Sequence, residues 1–474
     1  MRMHRHSVAL LVVGLSGGDV ARAGAQLSLG DALRQADRSA YGNRIAAGAT
    51  AAQTALSLSP LKGILPTVRF EAGYVKTTDP IGVFGSTLRQ RSITQSNFDP
   101  ARLNYPGAVG NYQGGIVVEQ PIFNGDAWTG RRAALRAADA GRAMEDWTRM
   151  STRVDVVRAY YGVVLAVERV STLRSAAHAS RAHVTQAEAM VRQGLVTKSD
   201  ALLASVRAGE IESDVAEAEG NVETARRQLA VLLGRDGNEP LPVQTATLPS
   251  GDRIRTVVAV DTAARSGEPR ADVNAASLGL DAARADVARA RSAYLPRVNS
   301  FARYDWNSAD KLYAGDKNWT VGVMTSWTPF AGASEIADAQ IAAGHSTSAK
   351  AQAEAAMANA RLDVQRTRTD LTVALARLTL AERAVLASAE AHRIVARKYE
   401  GGLATVVELL DAQAQETRSA LGFAGARYAA IAAAAERRRA LGGDPATLEA
   451  LDNSQAVAEA APFTVPPITA STAP

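Results

Sequence analysis

The chain is written twice. Gly115-Ile116-Val117-Val118, running to Phe123-Asn124-Gly125, returns as Gly322-Val323-Met324-Thr325, running to Phe330-Ala331-Gly332. Arg192-Gln193-Gly194-Leu195-Val196-Thr197 with Asp200-Ala201-Leu202-Leu203 returns as Glu400-Gly401-Gly402-Leu403-Ala404-Thr405 with Glu408-Leu409-Leu410-Asp411. Leu65-Pro66-Thr67-Val68 and Leu295-Pro296-Arg297-Val298 precede these pairs in the same order. A repeat restricts the fold strongly, because each copy must build the same unit. Each half reads helix, strand, long loop, strand, very long helix, tight turn, returning helix.

Helices are expected near 28–58, 126–192 and 198–233, then near 268–293, 333–398 and 404–441. Ser28-Leu29-Gly30-Asp31 offers a cap at the first start, and Gly442, Gly443 and Pro445 stop the last helix. At about 1.5 Å per residue, 126–192 is about 100 Å long, and 198–233 plus 268–293 come to about 93 Å. The segment 333–398 is about 99 Å, and 404–441 plus 28–58 come to about 103 Å. Each long helix is thus matched by two shorter ones laid end to end, which predicts a rod about 100 Å long. Val154, Val157, Tyr161 and Val164, and the heptad positions Val364, Leu371, Leu378 and Val385, read as coiled-coil seams. Ordinary bundle packing would use the same spacings.

The short segments near 66–78, 111–123, 296–306 and 318–330 read as strands. Val68, Phe70, Ala72 and Tyr74 alternate with Thr67, Arg69, Glu71 and Gly73. Val298, Ala302, Tyr304 and Trp306 alternate with Arg297, Asn299, Arg303 and Asp305, with Ser300 and Phe301 breaking the pattern. Trp319, Val321, Val323, Thr325 and Trp327 alternate with Asn318, Thr320, Gly322, Met324 and Ser326. Period two means one apolar and one polar face. Four strands cannot close a barrel, and an open edge is not tolerated in hydrocarbon. Three copies would supply twelve strands around a polar lumen, with Tyr74, Tyr304, Trp306, Trp319 and Trp327 as aromatic girdle positions. The competing reading is a soluble, half-buried sheet.

No cysteine is present in the 474 residues, which excludes disulfides, thiol nucleophiles and a lipoprotein anchor. Residues 1–25 read as a secretory signal: Arg2 and Arg5, an apolar Ser7–Leu15 stretch, and small-x-small sites at Ala21-Arg22-Ala23 and Ala23-Gly24-Ala25. A short membrane anchor is the alternative, but the run is too short to span a bilayer. The net charge of +5 includes Arg2, Arg5, Arg22 and Asp19 of that segment, so the remainder carries about +3 and predicts no nucleic-acid partner. His178, His183, His345 and His392 all fall in expected helices, and the spacing of the first two suits surface positions better than metal ligation. No His-Glu-x-x-His, Walker or dinucleotide fingerprint occurs, so neither an enzyme nor a cofactor is expected.

This layout resembles the TolC-type outer-membrane efflux protein family. The Leu-Pro-x-Val strand starts, the strand ends Gln120-Pro121-Ile122-Phe123-Asn124-Gly125 and Thr328-Pro329-Phe330-Ala331-Gly332, and both Gly-Leu turns carry the likeness, over about residues 27–445. The resemblance implies a mixed α+β membrane protein: a homotrimer with a twelve-stranded barrel in outer-membrane lipid and an α-helical coiled-coil tunnel in the periplasm. It implies a periplasmic adaptor (membrane fusion) protein and an inner-membrane transporter of RND, ABC or MFS type as partners. The organisation is then signal 1–25, first repeat 26–234, equatorial connector 235–267, second repeat 268–445, and a largely disordered periplasmic tail 446–474.

In similar proteins the second tip carries two acidic residues a helical turn apart, ringing the closed aperture. Glu408 and Asp411 stand at the matching positions, with Asp200 at the first tip. Thr405-x-x-Glu408 and Thr197-x-x-Asp200 also read as capping boxes, which would account for Glu408 and Asp200 but not Asp411. Tyr399 matches an aperture-latching tyrosine, whereas Ala404 stands where the latch arginine would be. Gly194, Leu195, Val196 and Thr197 with Gly402, Leu403, Ala404 and Thr405 would form the adaptor-docking edge. The 79–110 loop would face outside the cell and shape the mouth. The expected function is passive exit of small molecules from an inner-membrane pump. Type I protein secretion and, in another class, a pore-free periplasmic coiled-coil protein are the alternatives.

Overall fold

The computed structural model describes residues 27–238, 241, 243, 247–263 and 270–451. The expected signal and most of the expected tail lie outside them.

The first half opens with α1 (Leu29–Ser39), α2 (Tyr41–Leu56) and β1 (Thr67–Thr77). The expected single helix over 28–58 is broken at Ala40, whose ψ of 132° is extended. The break is forced by packing: the Ser39 hydroxyl donates to Leu233 O at 2.7 Å, and Gly234 sits directly against the Ser39 carbonyl. Then follow α3 (Pro80–Arg89), α4 (Pro100–Asn104), β2 (Val109–Phe123), α5 (Gly125–Arg192) and α6 (Lys198–Leu232). The expected connector 235–267 contains α7 (Gly251–Ala263). The second half runs α8 (Ala271–Ser292), β3 (Arg297–Ser308), β4 (Asp316–Ser326), α9 (Ser334–Glu400) and α10 (Val406–Ala440). The fourth strand stops at Ser326 rather than near 330, because Pro329 has no N–H for the ladder. A 3₁₀ helix, Pro445–Leu451, buries Leu448 and Leu451, so the start of the expected disordered tail is packed.

The sheet is antiparallel in the order β1-β2-β3-β4. That order dictates the helix order beneath it. α2 feeds β1, β2 feeds α5, α8 feeds β3 and β4 feeds α9, so α2 lies on α5, α5 on α8, and α8 on α9. The length matching set 28–58 beside 333–398; within one chain α2 does not pack along α9, because they hang from opposite edges of the sheet. Both edge helices keep large apolar side chains exposed, Tyr41, Ile45 and Leu56 on α2 and Ile336, Ile341 and Leu362 on α9.

The main core forms a belt at mid-rod. Val154, Val157, Tyr160, Tyr161 and Val164 of α5 meet Leu29 and Leu33 of α1, Leu229, Ile254, Leu378, Ile431 and Leu448. Charged ties cross the belt. Arg153 bonds Asp37 at 2.6 Å and also Asp444, and Arg427 is buried between Glu168 and the Leu248 carbonyl. The Trp147 ring is approached by Arg270 at 4.7 Å and Arg439 at 4.8 Å, tying α5 to α10 and to the N-terminal end of α8.

Candidate functional site

Two places carry the residues singled out above: the helical tips and the sheet.

At each tip, one turn closes a long helix onto its returning partner. Leu195 N donates to Met190 O at 2.9 Å and Gly194 N to Val191 O at 3.0 Å. Leu403 N donates to Lys398 O at 2.8 Å and Gly402 N to Tyr399 O at 3.0 Å. These are twin Schellman turns, with Gly194 at φ +73° and Gly402 at φ +74°, where a Cβ would be strained. The next helix then begins with a capping box. Thr197 N donates to Asp200 Oδ2 at 2.9 Å, and Thr405 N donates to Glu408 Oε2 at 2.7 Å. Backbone and hydroxyl donation from Thr405 hold the Glu408 carboxyl below its ordinary pKa. Glu408 and Asp411 are both exposed, one turn apart on α10, and Leu195 and Leu403 project at 65 % and 82 % exposure.

Tyr399 does not reach the surface. It is 2 % exposed, packed with Ala187, Ala204, Val406, Leu409 and Leu410, and its hydroxyl has no hydrogen-bond partner. Burial raises its pKa. Ala404 packs partly against the same cluster. His183, whose spacing suited a surface position, is drawn inward: His183 of α5 and His392 of α9 meet edge to face at 5.9 Å, and His392 Nδ1 lies 2.5 Å from Glu416 of α10. Burial, followed by the charge of His392, lowers the pKa of His183. Spacing along one helix could not reveal this pair, because its members come from different hairpins.

In the sheet, the registers Phe70↔Ile116, Ile116↔Tyr304 and Tyr304↔Trp319 run one apolar stripe across all four strands. Val68, Val118, Ala302 and Val321 form a second row, and Tyr74 meets Tyr112 at 4.6 Å. Among the described residues nothing covers this face: Phe70 is 75 % and Trp319 72 % exposed. Trp306 lies over Gly114 and donates to Leu312 O at 2.6 Å, whereas Trp327 falls one residue beyond β4 and donates to Tyr294 O at 3.1 Å. The opposite face carries Arg69, Glu71, Gln113, Arg303, Asp305, Asn318 and Thr320. Among its apolar exceptions, Val117 is buried between Arg69 and Arg303 in the register, and Phe301 covers Gly322. Asn111 and Asn307 on this polar face are almost wholly buried, under a segment the sequence left as loop.

Among the described residues, no helix is long and apolar enough to cross a membrane, and no cluster of three potential ligands could hold a metal ion. Residues 19–235 and 265–443 match the family described as outer membrane efflux protein. The chain is 21 % identical over 334 residues to outer membrane protein TolC of Vibrio cholerae serotype O1, covering 69 % of this chain and 76 % of that one. It is 28 % identical over 281 residues to outer membrane protein OprJ of Pseudomonas aeruginosa, covering 54 % and 57 % respectively. The fold is similar to that of the Campylobacter jejuni CmeC outer membrane channel, with a TM-score of 0.73 at 16 % identity over 91 % of this chain and 88 % of that one. A match over both halves of the duplicated chain, on a sheet whose apolar face is bare, leaves one assignment: the chain belongs to the outer membrane efflux protein family.

Proposed function

We propose that three copies of this chain close into an outer-membrane duct that gives small molecules a passive exit from an inner-membrane pump, reached through a periplasmic adaptor. The observation that carries this reading is the sheet's exposure. A soluble sheet hides its apolar face; this one leaves that face bare and buries asparagines on the other. A bilayer is the solvent in which that arrangement is favourable.

Closure between copies follows from the edges. β1 and β4 are open, and α2 and α9 hang below them with apolar side chains exposed. Pairing β4 of one copy with β1 of the next removes every open edge and seats α9 of one copy beside α2 of the next. The length match between 28–58 and 333–398 is then an intersubunit one. Tyr74 and Trp306 at the loop end and Trp327 at the helix end would meet the two bilayer interfaces.

The tips would form the inner end. Exposed Leu195 and Leu403 offer the adaptor an apolar edge. Glu408 serves its cap, while Asp411 lies outside that cap and interacts electrostatically with Arg207 of α6; threefold symmetry would gather both carboxylates into a ring favouring cations. The buried Tyr399 steadies the tip rather than latching it at the surface. The test is electrical. Purified protein should migrate as a heat-modifiable trimer and form cation-preferring channels in planar bilayers. Glu408→Ala with Asp411→Ala should lower that preference; unchanged selectivity would remove the ring, and a soluble elongated monomer would remove the duct.

A further inference from the structure

The β1–β2 connection, residues 78–108, is far longer than the β3–β4 connection, residues 309–315, though both lie at the end of the sheet away from the helices. A hairpin there needs only about two to five residues. The excess is folded. α3 doubles back and packs on β2 and β3, on the polar face. Gln90 Nε2 donates to Gly110 O and to Asn111 Oδ1, both at 2.9 Å, and Asn111 Nδ2 donates to Asn307 Oδ1 at 2.8 Å. The two asparagines are 3 % and 4 % exposed, so this amide chain is a buried network, costly to break once made. Arg91 ends α3 in the left-handed region at φ +49°, where glycine is usual. Its guanidinium reaches Lys317 O at 3.4 Å and Asp316 at 3.7 Å, so the strained residue is also the anchor. Beneath α3, a cavity of about 460 Å³ opens between Arg89 and Glu71, Gln113, Arg303, Asp305 and Asn318.

We propose that this insertion is a size filter for hydrophilic solutes at the outward end of the duct, separate from the tip aperture. The inference rests on the trimeric barrel proposed above, in which the polar face lines the lumen. Strands about 4.8 Å apart and tilted about 45° give a twelve-stranded barrel a backbone diameter of about 26 Å. A helix with its side chains is about 10 Å across, so three copies of α3 on the wall leave an opening of about 6 Å at most. The polar lining and the pairing of Arg303 with Glu71 at 3.6 Å suit a wetted passage without strong charge preference.

The absence of cysteine makes the test direct. Met324 lies on the polar face nearer the helices, and Val323 beside it lies on the apolar face; both are exposed. Met324→Cys in intact cells should react with a small maleimide added outside. A maleimide bearing a rigid group about 15 Å across, wider than the opening estimated above, should react at least about tenfold more slowly. Replacing residues 79–107 by a short Gly-Ser turn should abolish that difference. Gln90→Ala with Arg91→Ala, which cuts the anchor but keeps the chain length, should reduce it. Equal labelling by both reagents in the unmodified loop background, or a size discrimination that survives both loop variants, overturns the filter and leaves the barrel standing. Labelling of Val323→Cys by the water-soluble reagent as fast as Met324→Cys overturns the barrel and the filter together.

Discussion

The mid-rod belt and the sheet treat the same side chains in opposite ways. In the belt, Val157, Tyr161 and Leu378 are fully enclosed, and charges such as Arg427 and Glu168 are tolerated because each has a partner. In the sheet, Phe70, Trp319 and Val321 are bare, and the buried side chains are Asn111, Asn307 and Val117, all on the opposite, polar face. One chain therefore carries two hydrophobic surfaces meant for two different neighbours, protein in one region and lipid in the other. Burial within a single copy measures only the first.

The contrast can be broken at several points. The largest effect belongs to the belt: Arg427→Ala removes the buried counter-charge of Glu168, leaving that carboxylate the Leu248 N–H, and should cost about 3 kcal/mol, read as a lower urea midpoint. Arg303→Ala, at a half-exposed pair on the sheet, should cost less than about 1 kcal/mol. Equal losses would mean that the belt is not the cooperative core. Next, Val321→Arg should destabilise protein refolded into bilayers by about 2–4 kcal/mol, whereas Thr320→Arg, one residue away on the polar face, should be tolerated. A reversed order would put the lipid on the wrong side. At the tips, Gly402→Ala and Gly194→Ala should each cost about 1 kcal/mol, from the left-handed backbone alone. A much larger loss at one tip would show that the twin turns are not equivalent.

The smallest effects are those of pH. Glu408 titrates below its ordinary value when folded, so its cap is fully present above that value and is lost as pH falls through the folded pKa. His183 has a depressed folded pKa, so stability at the hairpin contact is full above about 6.5 and declines as acid is added. The protection factor near Val184, the exchange rate divided into its intrinsic value at each pH, should therefore fall on acidification in the parent chain and become flatter in His183→Leu. A protection factor that rises in acid would reverse the sign of the argument.

Much of this was legible before any coordinates. The repeats marked both turns, and the capping residues Thr197 and Thr405 follow from Thr-x-x-Asp and Thr-x-x-Glu. The strand alternation placed Phe70, Tyr304 and Trp319 on one face because a period of two is a local property. The helix break at Ala40 was not legible, since it depends on Gly234, far away in the chain. Nor was α3, whose place is set by Asn111 and Asn307 across two strands. Tyr399 could be numbered but not located, because helical spacing does not say which of two hairpins will cover it.

What the sequence determined by itself was everything governed by neighbours within a few residues: helix lengths, caps, turns, and the two faces of each strand. Only the tertiary structure decided which helix lies beside which, that the polar face of the sheet is the covered one, and that a loop folds back to cover it. The physical reason is range. Backbone hydrogen bonds and side-chain periodicity act over one turn or one pleat, whereas burial and amide pairing join residues such as Asn111 and Asn307 that the chain itself keeps almost two hundred positions apart.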